Sequence, residues 1–150
     1  MKRFKFRLEP LKKLKEFKFE EAERAVSRQL AVIEKEQDKL AALFETKKKL
    51  RIKSAQFHRE LNFTMLEIAR RNEAAVNQLI SSQELRLQEA GKTLKMLQAN
   101  MAEALRDKKV FEKLEEKSRE EYKKEYLADQ QKKLDDFRSR NFLGEGNGEN

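Results

Sequence analysis

The chain has no cysteine and no tryptophan, one histidine, one proline, and four glycines, three of them in the last seven residues. Each shortage excludes something. Without cysteine there is no His/Cys zinc site and no Cys–His nucleophile pair. No glycine-rich loop is present to cradle a phosphate. No run approaches the roughly 20 apolar residues that cross a bilayer, and the N-terminus is too charged for the apolar part of a secretory signal. A cytoplasmic protein is expected, and the lack of cysteine fits a reducing compartment. Between Pro10 and Gly144 only Gly91 interrupts a stretch otherwise free of helix breakers.

What is present is charge and good helix formers. Charged residues make up 41% and hydrophobic residues 38% of the 150 positions, the balance of a long-helix or coiled-coil protein. Such a chain supplies a narrow apolar seam rather than a thick interior. A single straight helix of this length leaves its seam uncovered, so the chain folds back or recruits another chain. Carboxylates are abundant, but Glu and Lys at these frequencies belong to a coiled-coil surface. No catalytic residue, metal site or cofactor is expected, and His58 reads as a surface residue.

Periodicity locates the seams. Val76, Ile80, Gln83, Leu87, Ala90, Leu94, Leu97, Met101 and Ala104 alternate steps of four and three, a heptad stripe that the same reading continues through Lys108 and Phe111 before it decays. In the first half Phe19, Val26, Ile33 and Leu40 stand seven apart, with Leu30 and Phe44 read as the alternate positions and Glu23, Gln37 and Lys47 as interruptions. Two seams in one chain pair most simply with each other. The expected fold is therefore all-α: two long helices forming an antiparallel coiled-coil hairpin over 9–142. Its bend is expected near 58–70, after a basic segment at 1–8 and before a disordered tail at 143–150. Thr64 and Glu67 have capping-box spacing and suggest the start of the second helix. Pro10 suits the first turn of the first helix.

With reversal near 63, residue i faces about 127 minus i. This sets Ile33 against Leu94, Leu40 against Leu87 and Val26 near Met101, in a hairpin on the order of 80 to 110 Å long. Residues beyond about 120 are left without a partner from the first helix, yet they include Tyr122, Tyr126, Leu134 and Phe137. The open end, where this overhang lies beside the basic N-terminus, is expected to dock another protein.

Charge is uneven. Residues 1–18 carry eight basic side chains against Glu9 and Glu16, and Lys47, Lys48, Lys49, Arg51 and Lys53 lie in a stretch without an acid between Glu45 and Glu60. Such blocks suit nucleic acid, anionic lipid or an acidic protein surface. A basic coiled coil associated with nucleic acid or the ribosome is the competing reading, although the aromatics do not alternate with basic residues as in a stacking platform. A third reading is a membrane-surface helix around Lys47–Lys53, flanked by Leu43, Phe44, Leu50, Ile52 and Phe57.

The string Phe4-Lys5-Phe6-Arg7-Leu8-Glu9-Pro10-Leu11, followed by Leu14, resembles the opening of the flagellar export protein family FliJ, F-x-F-x-L-x-x-L-L. Arg106-Asp107-Lys108-Lys109 resembles the family's R-x-K-K, and Gln131-Lys132-Lys133-Leu134-Asp135-Asp136-Phe137 its terminal Q-K-x-hydrophobic-D-E-hydrophobic segment. The resemblance implies a non-catalytic stalk similar to the rotor-stalk subunit of rotary ATPases, monomeric in isolation. Its open end would enter the central pore of the hexameric flagellar export ATPase. The family also links that ATPase to the membrane export gate protein FlhA and engages export chaperones, with no specific nucleic acid expected. The protein would be cytoplasmic and peripherally associated with the membrane at the flagellar base. The residues expected to dock the ATPase are Phe4, Phe6, Arg7, Leu8 and Leu11 from one arm and Tyr126, Leu134, Asp135, Asp136 and Phe137 from the other. For the gate, the family analogy points to Leu43, Leu50, Val76 and Ile80 as an apolar patch nearer the bend.

Overall fold

A computed structural model describes the backbone of residues 3–145 and the side chains through 142. Two helices account for nearly all of it, α1 over Glu9–Arg59 and α2 over Phe63–Glu145; among the described residues there is no strand. The chain forms two compact units, one of Glu20–Glu103 and one that joins Met1–Phe19 to Ala104–Asn150. In each, α1 and α2 run antiparallel. α2 continues through Gly144 to Glu145, past the expected limit at 142. The rest of the expected tail, 146–150, lies outside the described residues, as do Met1 and Lys2 of the basic segment.

The reversal occupies 60–62. Leu61 N–H donates to His58 O (3.2 Å) and Asn62 N–H to Phe57 O (3.0 Å), the paired bonds of a Schellman C-cap. That motif needs one left-handed residue, and Leu61 supplies it at φ 55° although glycine would do so without Cβ strain. Asn62 then turns to the next helix. Its Oδ1 accepts from Met65 N–H at 3.2 Å and its carbonyl accepts the first bond of α2 from Leu66 N–H. Asn62, not Thr64, is thus the N-cap. Three residues end one helix and start another, with Arg59 placed in the last turn of α1, where positive charge complements the helix dipole.

In the unit 20–103 the shielded positions repeat every three and four residues. On α2 they are Leu66, Ala69, Glu73, Val76, Ile80, Gln83, Leu87, Ala90, Leu94, Leu97 and Met101, so the expected second-half stripe falls within this set from Val76 to Met101, its last member Ala104 belonging to the other unit. On α1, Val26, Ile33 and Leu40 take part as read from their spacing, but the alternate positions are Gln29, Glu36 and Leu43. Leu30 and Phe44 are instead exposed, at 49% and 46%. Lys47 does not interrupt the stripe; it is half-buried within it. The rule that misled was hydrophobicity: the seam keeps its heptad geometry by accepting polar residues, and the neighbouring apolar ones face water.

Those polar residues are satisfied across the helix pair. Gln29 Nε2 donates to the Ala90 carbonyl at 3.0 Å. Gln83, only 5% exposed, donates Nε2 to the Glu36 carbonyl at 3.0 Å and to the Glu36 carboxylate. Lys39 and then Gln83, by hydrogen bonding, hold the Glu36 carboxyl below its ordinary range. Seven residues back along α1 are matched by seven forward along α2, the step of a heptad.

Candidate functional site

The unit that contains the chain ends is built differently. Residues 3–6 have no regular secondary structure and Arg7 and Leu8 form a turn, with Glu9 N–H bonded to Phe6 O and Lys12 N–H to Leu8 O. Pro10 then sits in the first turn of α1, where a missing N–H leaves no bond unmade. The shielded positions of α2 continue their rhythm past the expected decay: Ala104, Lys108, Phe111, Glu115, Ser118 and Tyr122 are all half-buried. Charge and aromatic rings fill what aliphatic side chains fill elsewhere.

Lys12 Nζ donates to Glu115 and also lies 3.7 Å from Glu16. Arg119 reaches the other Glu115 oxygen at 3.0 Å. The Lys12 hydrogen bond, then that of Arg119, holds the Glu115 carboxyl below the usual carboxylate range, and the Glu115 hydrogen bond raises Lys12. Lys15 pairs with Asp107 at 3.2 Å, and Lys108 Nζ stands 5.0 Å from the centre of the Phe19 ring. At the start of the chain, Phe4 meets the Tyr122 ring at 5.4 Å, tilted by 57°, and the Arg119 guanidinium lies 5.2 Å from the Phe4 ring centre. Tyr122 in turn stacks with Tyr126 at 6.4 Å. Each ring pair contributes roughly 0.5–1.5 kcal/mol beyond area burial, and each cation–ring contact roughly 0.5–1 kcal/mol where exposed.

The expected docking residues separate into two groups. Phe4, Phe6 and Leu8 are half-buried in this clasp, and Arg7 joins Phe6 and Leu8 in a groove with Leu114, Lys117, Ser118 and Glu121. Tyr126 is attached to it through Tyr122. Tyr122 itself is no overhang, since it is the partner of Phe4. The second group, Leu134, Asp135, Asp136 and Phe137, is exposed on α2, with Leu134 at 54% and Phe137 at 62%. Among the described residues no hydrogen bond, ion pair or ring contact joins 134–137 to residues 3–19; Asp135 accepts locally from Gln131 at 3.2 Å.

Leu11, expected as a docking residue, and Leu14 of the opening motif are exposed, and so are Val110, Leu114 and Leu127, which the motifs missed. Leu11 and Leu114 each stand one place before a seam residue, Lys12 and Glu115, and in an antiparallel pair such positions flank the same side. Leu14 and Val110, also exposed, continue that flank. Leu127, at 67% exposure, stands seven residues before Leu134 and extends the exposed face of α2. Carrying the heptad numbering through Phe111 and Glu115 would have found Val110 and Leu114, because the seam identifies its own flanks even where it is polar. The four residues expected as a gate-facing patch are placed otherwise. Ile80 is 6% exposed and Leu43, Leu50 and Val76 are half-buried, so they belong to the seam and form no open patch.

Among the described residues there is no helix long and apolar enough to cross a membrane and no cluster suited to a metal ion. A family model described as Flagellar FliJ protein matches residues 4–147. Neither a curated protein nor a solved structure matches the chain.

Proposed function

The chain belongs to the flagellar FliJ protein family and is a component of the flagellar export apparatus, and we propose that it acts there without catalytic activity as a stalk, docking into the export ATPase ring and coupling it to the export gate. The observation that carries this reading is the unit of the chain ends, where the clasp of Phe4, Tyr122 and Tyr126 is bordered by exposed Leu11, Leu14, Val110 and Leu114, and α2 goes on to expose Leu127, Leu134 and Phe137. Large apolar side chains grouped in this way favour a protein partner. A pre-formed clasp also lowers the ordering cost of binding.

A stalk changes a ring by touching its subunits unequally. A partner shifts an equilibrium only through different contacts with its states, and an asymmetric helix pair presents different side chains to each subunit of a hexamer. Phe6, Arg7, Leu8 and Leu11 would contact from one arm, and Tyr126, Leu134, Asp135, Asp136 and Phe137 from the other. Coupling to the gate protein FlhA, recruitment of export chaperones, a monomeric state and a place at the cytoplasmic side of the membrane belong to the same proposal. The test is ATPase activity and hexamer population of the export ATPase with and without the full chain. Leu134→Ala with Phe137→Ala is expected to abolish the stimulation while helicity by circular dichroism is kept. Undiminished stimulation by that variant defeats the docking assignment.

A further inference from the structure

The two sides of the helix pair in 20–103 differ in charge. Residues one place before a shielded position, on either helix, share one side of an antiparallel pair, and residues one place after share the other. Leu50, Ser54 and Phe57 complete the seam of α1. The first side then carries Lys35, Lys39, Lys49 and Lys53 from α1 and Arg86 from α2, all exposed. From Lys35 to Gln56 and from Met65 to Arg86 no acid stands on it; the first, Glu89, comes three residues beyond Arg86. Lys39 is paired with Glu36 at 2.8 Å, whereas among the described residues Lys35, Lys49, Lys53 and Arg86 form no ion pair. Asp38 and Glu45 stand on the outer face of α1 and pair with neither Lys35 nor Lys49. On the second side the signs are mixed, with Glu67 and Glu84 among Lys48, Arg51 and Arg70. Between its cations the first side is aliphatic or small: Met65, Ile68 and Leu79 are 40%, 47% and 55% exposed, Ala42, Thr46 and Ala75 keep the surface low, and over the same residues it has no aromatic ring.

We propose that this side of the unit binds an acidic amphipathic helix of a partner protein, with carboxylates against Lys35, Lys49, Lys53 and Arg86 and an apolar stripe over Ile68 and Leu79. Charge complementarity calls for an anionic occupant. A second copy of the chain would set cation against cation. A nucleic acid would leave Ile68 and Leu79 facing phosphates and would find no ring to stack on. A helix meets both features, because apolar positions recurring at three and four residues cover the aliphatic side chains while acids on its flanks reach the lysines. From Lys35 to Lys53 the side runs about 27 Å, room for about five turns. The inference goes beyond the stalk reading, whose docking residues lie in the unit of the chain ends, and neither depends on the other.

Fluorescence anisotropy of a labelled, stapled peptide helix of about three heptads, with Leu on its seam positions and Glu on the flanks, tests it when titrated with the full chain. Binding is expected, and its absence overturns the proposal. A stapled peptide of the same composition in scrambled order should bind at least roughly tenfold more weakly; equal binding overturns the amphipathic helix as occupant. Lys35→Glu/Lys49→Glu/Lys53→Glu should weaken binding at least roughly tenfold. An equal charge change on the second side, Lys48→Glu/Arg70→Glu/Lys95→Glu, should weaken it less than about threefold, with helicity checked for both. Equal loss in the two variants, or none in the first, defeats the assignment. Ile68→Ala/Leu79→Ala should also weaken binding; no change there, or tighter binding to an RNA duplex than to the peptide, overturns the choice of a protein helix. Because the chain has no cysteine, a benzophenone attached at Ala75→Cys should crosslink the peptide and one at Ala74→Cys, on the second side, should not; the reverse result overturns the placement.

Discussion

The two units use the same helices and the same heptad spacing but fill the seam with different chemistry. Among the described residues the buried ones, Val26, Leu66, Ala69, Ile80 and Gln83, all lie in 20–103, and Gln83, the polar member, donates to a carbonyl of the facing helix. In the unit of the chain ends the corresponding positions hold Lys12, Lys15, Glu115 and Tyr122, joined by ion pairs and rings that remain half in water. Exposed ion pairs contribute little, typically under about 1 kcal/mol. A seam of this second kind holds two strands in place without a large stabilisation. It can therefore open or be remodelled by a partner more readily than an aliphatic seam, a property that suits a docking surface.

The comparison breaks most directly at Ile80. Ile80→Ala should cost about 2–4 kcal/mol in urea unfolding, because a near-fully buried aliphatic is lost, whereas Glu115→Gln in the other unit should change the midpoint far less. A cost for Ile80→Ala no larger than for the Glu115 change would show that the two seams do not differ in strength. Gln83→Leu removes a satisfied polar layer and should raise stability by about 1–2 kcal/mol, while allowing concentration-dependent association, because a polar seam residue limits alternative pairings. Thermal unfolding and sedimentation at several concentrations read both effects.

Smaller gains are expected where backbone strain or freedom is uncompensated. Leu61→Gly relieves a left-handed residue, and Gly91→Ala adds a methyl where nothing lies within 4 Å. Each should raise stability by about 1 kcal/mol, and a lower melting temperature for Gly91→Ala would mean that its backbone is closely approached. The smallest effect is acid loosening of the clasp. The Glu115 carboxyl is lowered from 4.5, so its contribution is present above that value and disappears as pH falls through the lower folded-state value. Lys12 is raised from 10.5; its contribution is present below that value and lost at still higher pH. On acidification below 4.5, amide exchange should accelerate in 12–19 and 104–122 before 26–101. Simultaneous loss would place the acid-sensitive contacts in both units, Glu36 included.

Much of the hairpin was legible because helix formers, absent breakers and heptad spacing are local properties. Pro10, the stripe from Val76 to Ala104 and the bend interval needed no partner to be recognised. The cap was not legible: Asn62 and Thr64 both fit an N-terminus, and the Schellman bonds of Leu61 depend on the chain reversing there. Nor was the choice of Gln29 over Leu30, or Leu43 over Phe44, since adjacent positions differ by about a third of a turn and only the facing helix selects one. Of the candidate site, the motif residues at both termini were visible, while the Phe4–Tyr122 contact joins positions more than a hundred residues apart.

By itself, then, the amino-acid sequence determined that this chain is two long helices with matching stripes, and it carried the family motifs at both ends. The tertiary structure decided which side of each stripe is shielded, which charges are spent on each other and which, like Lys48 and Lys53, are left without a partner. Helix formation is decided within a few residues along the chain, but burial and charge pairing are properties of two surfaces brought together.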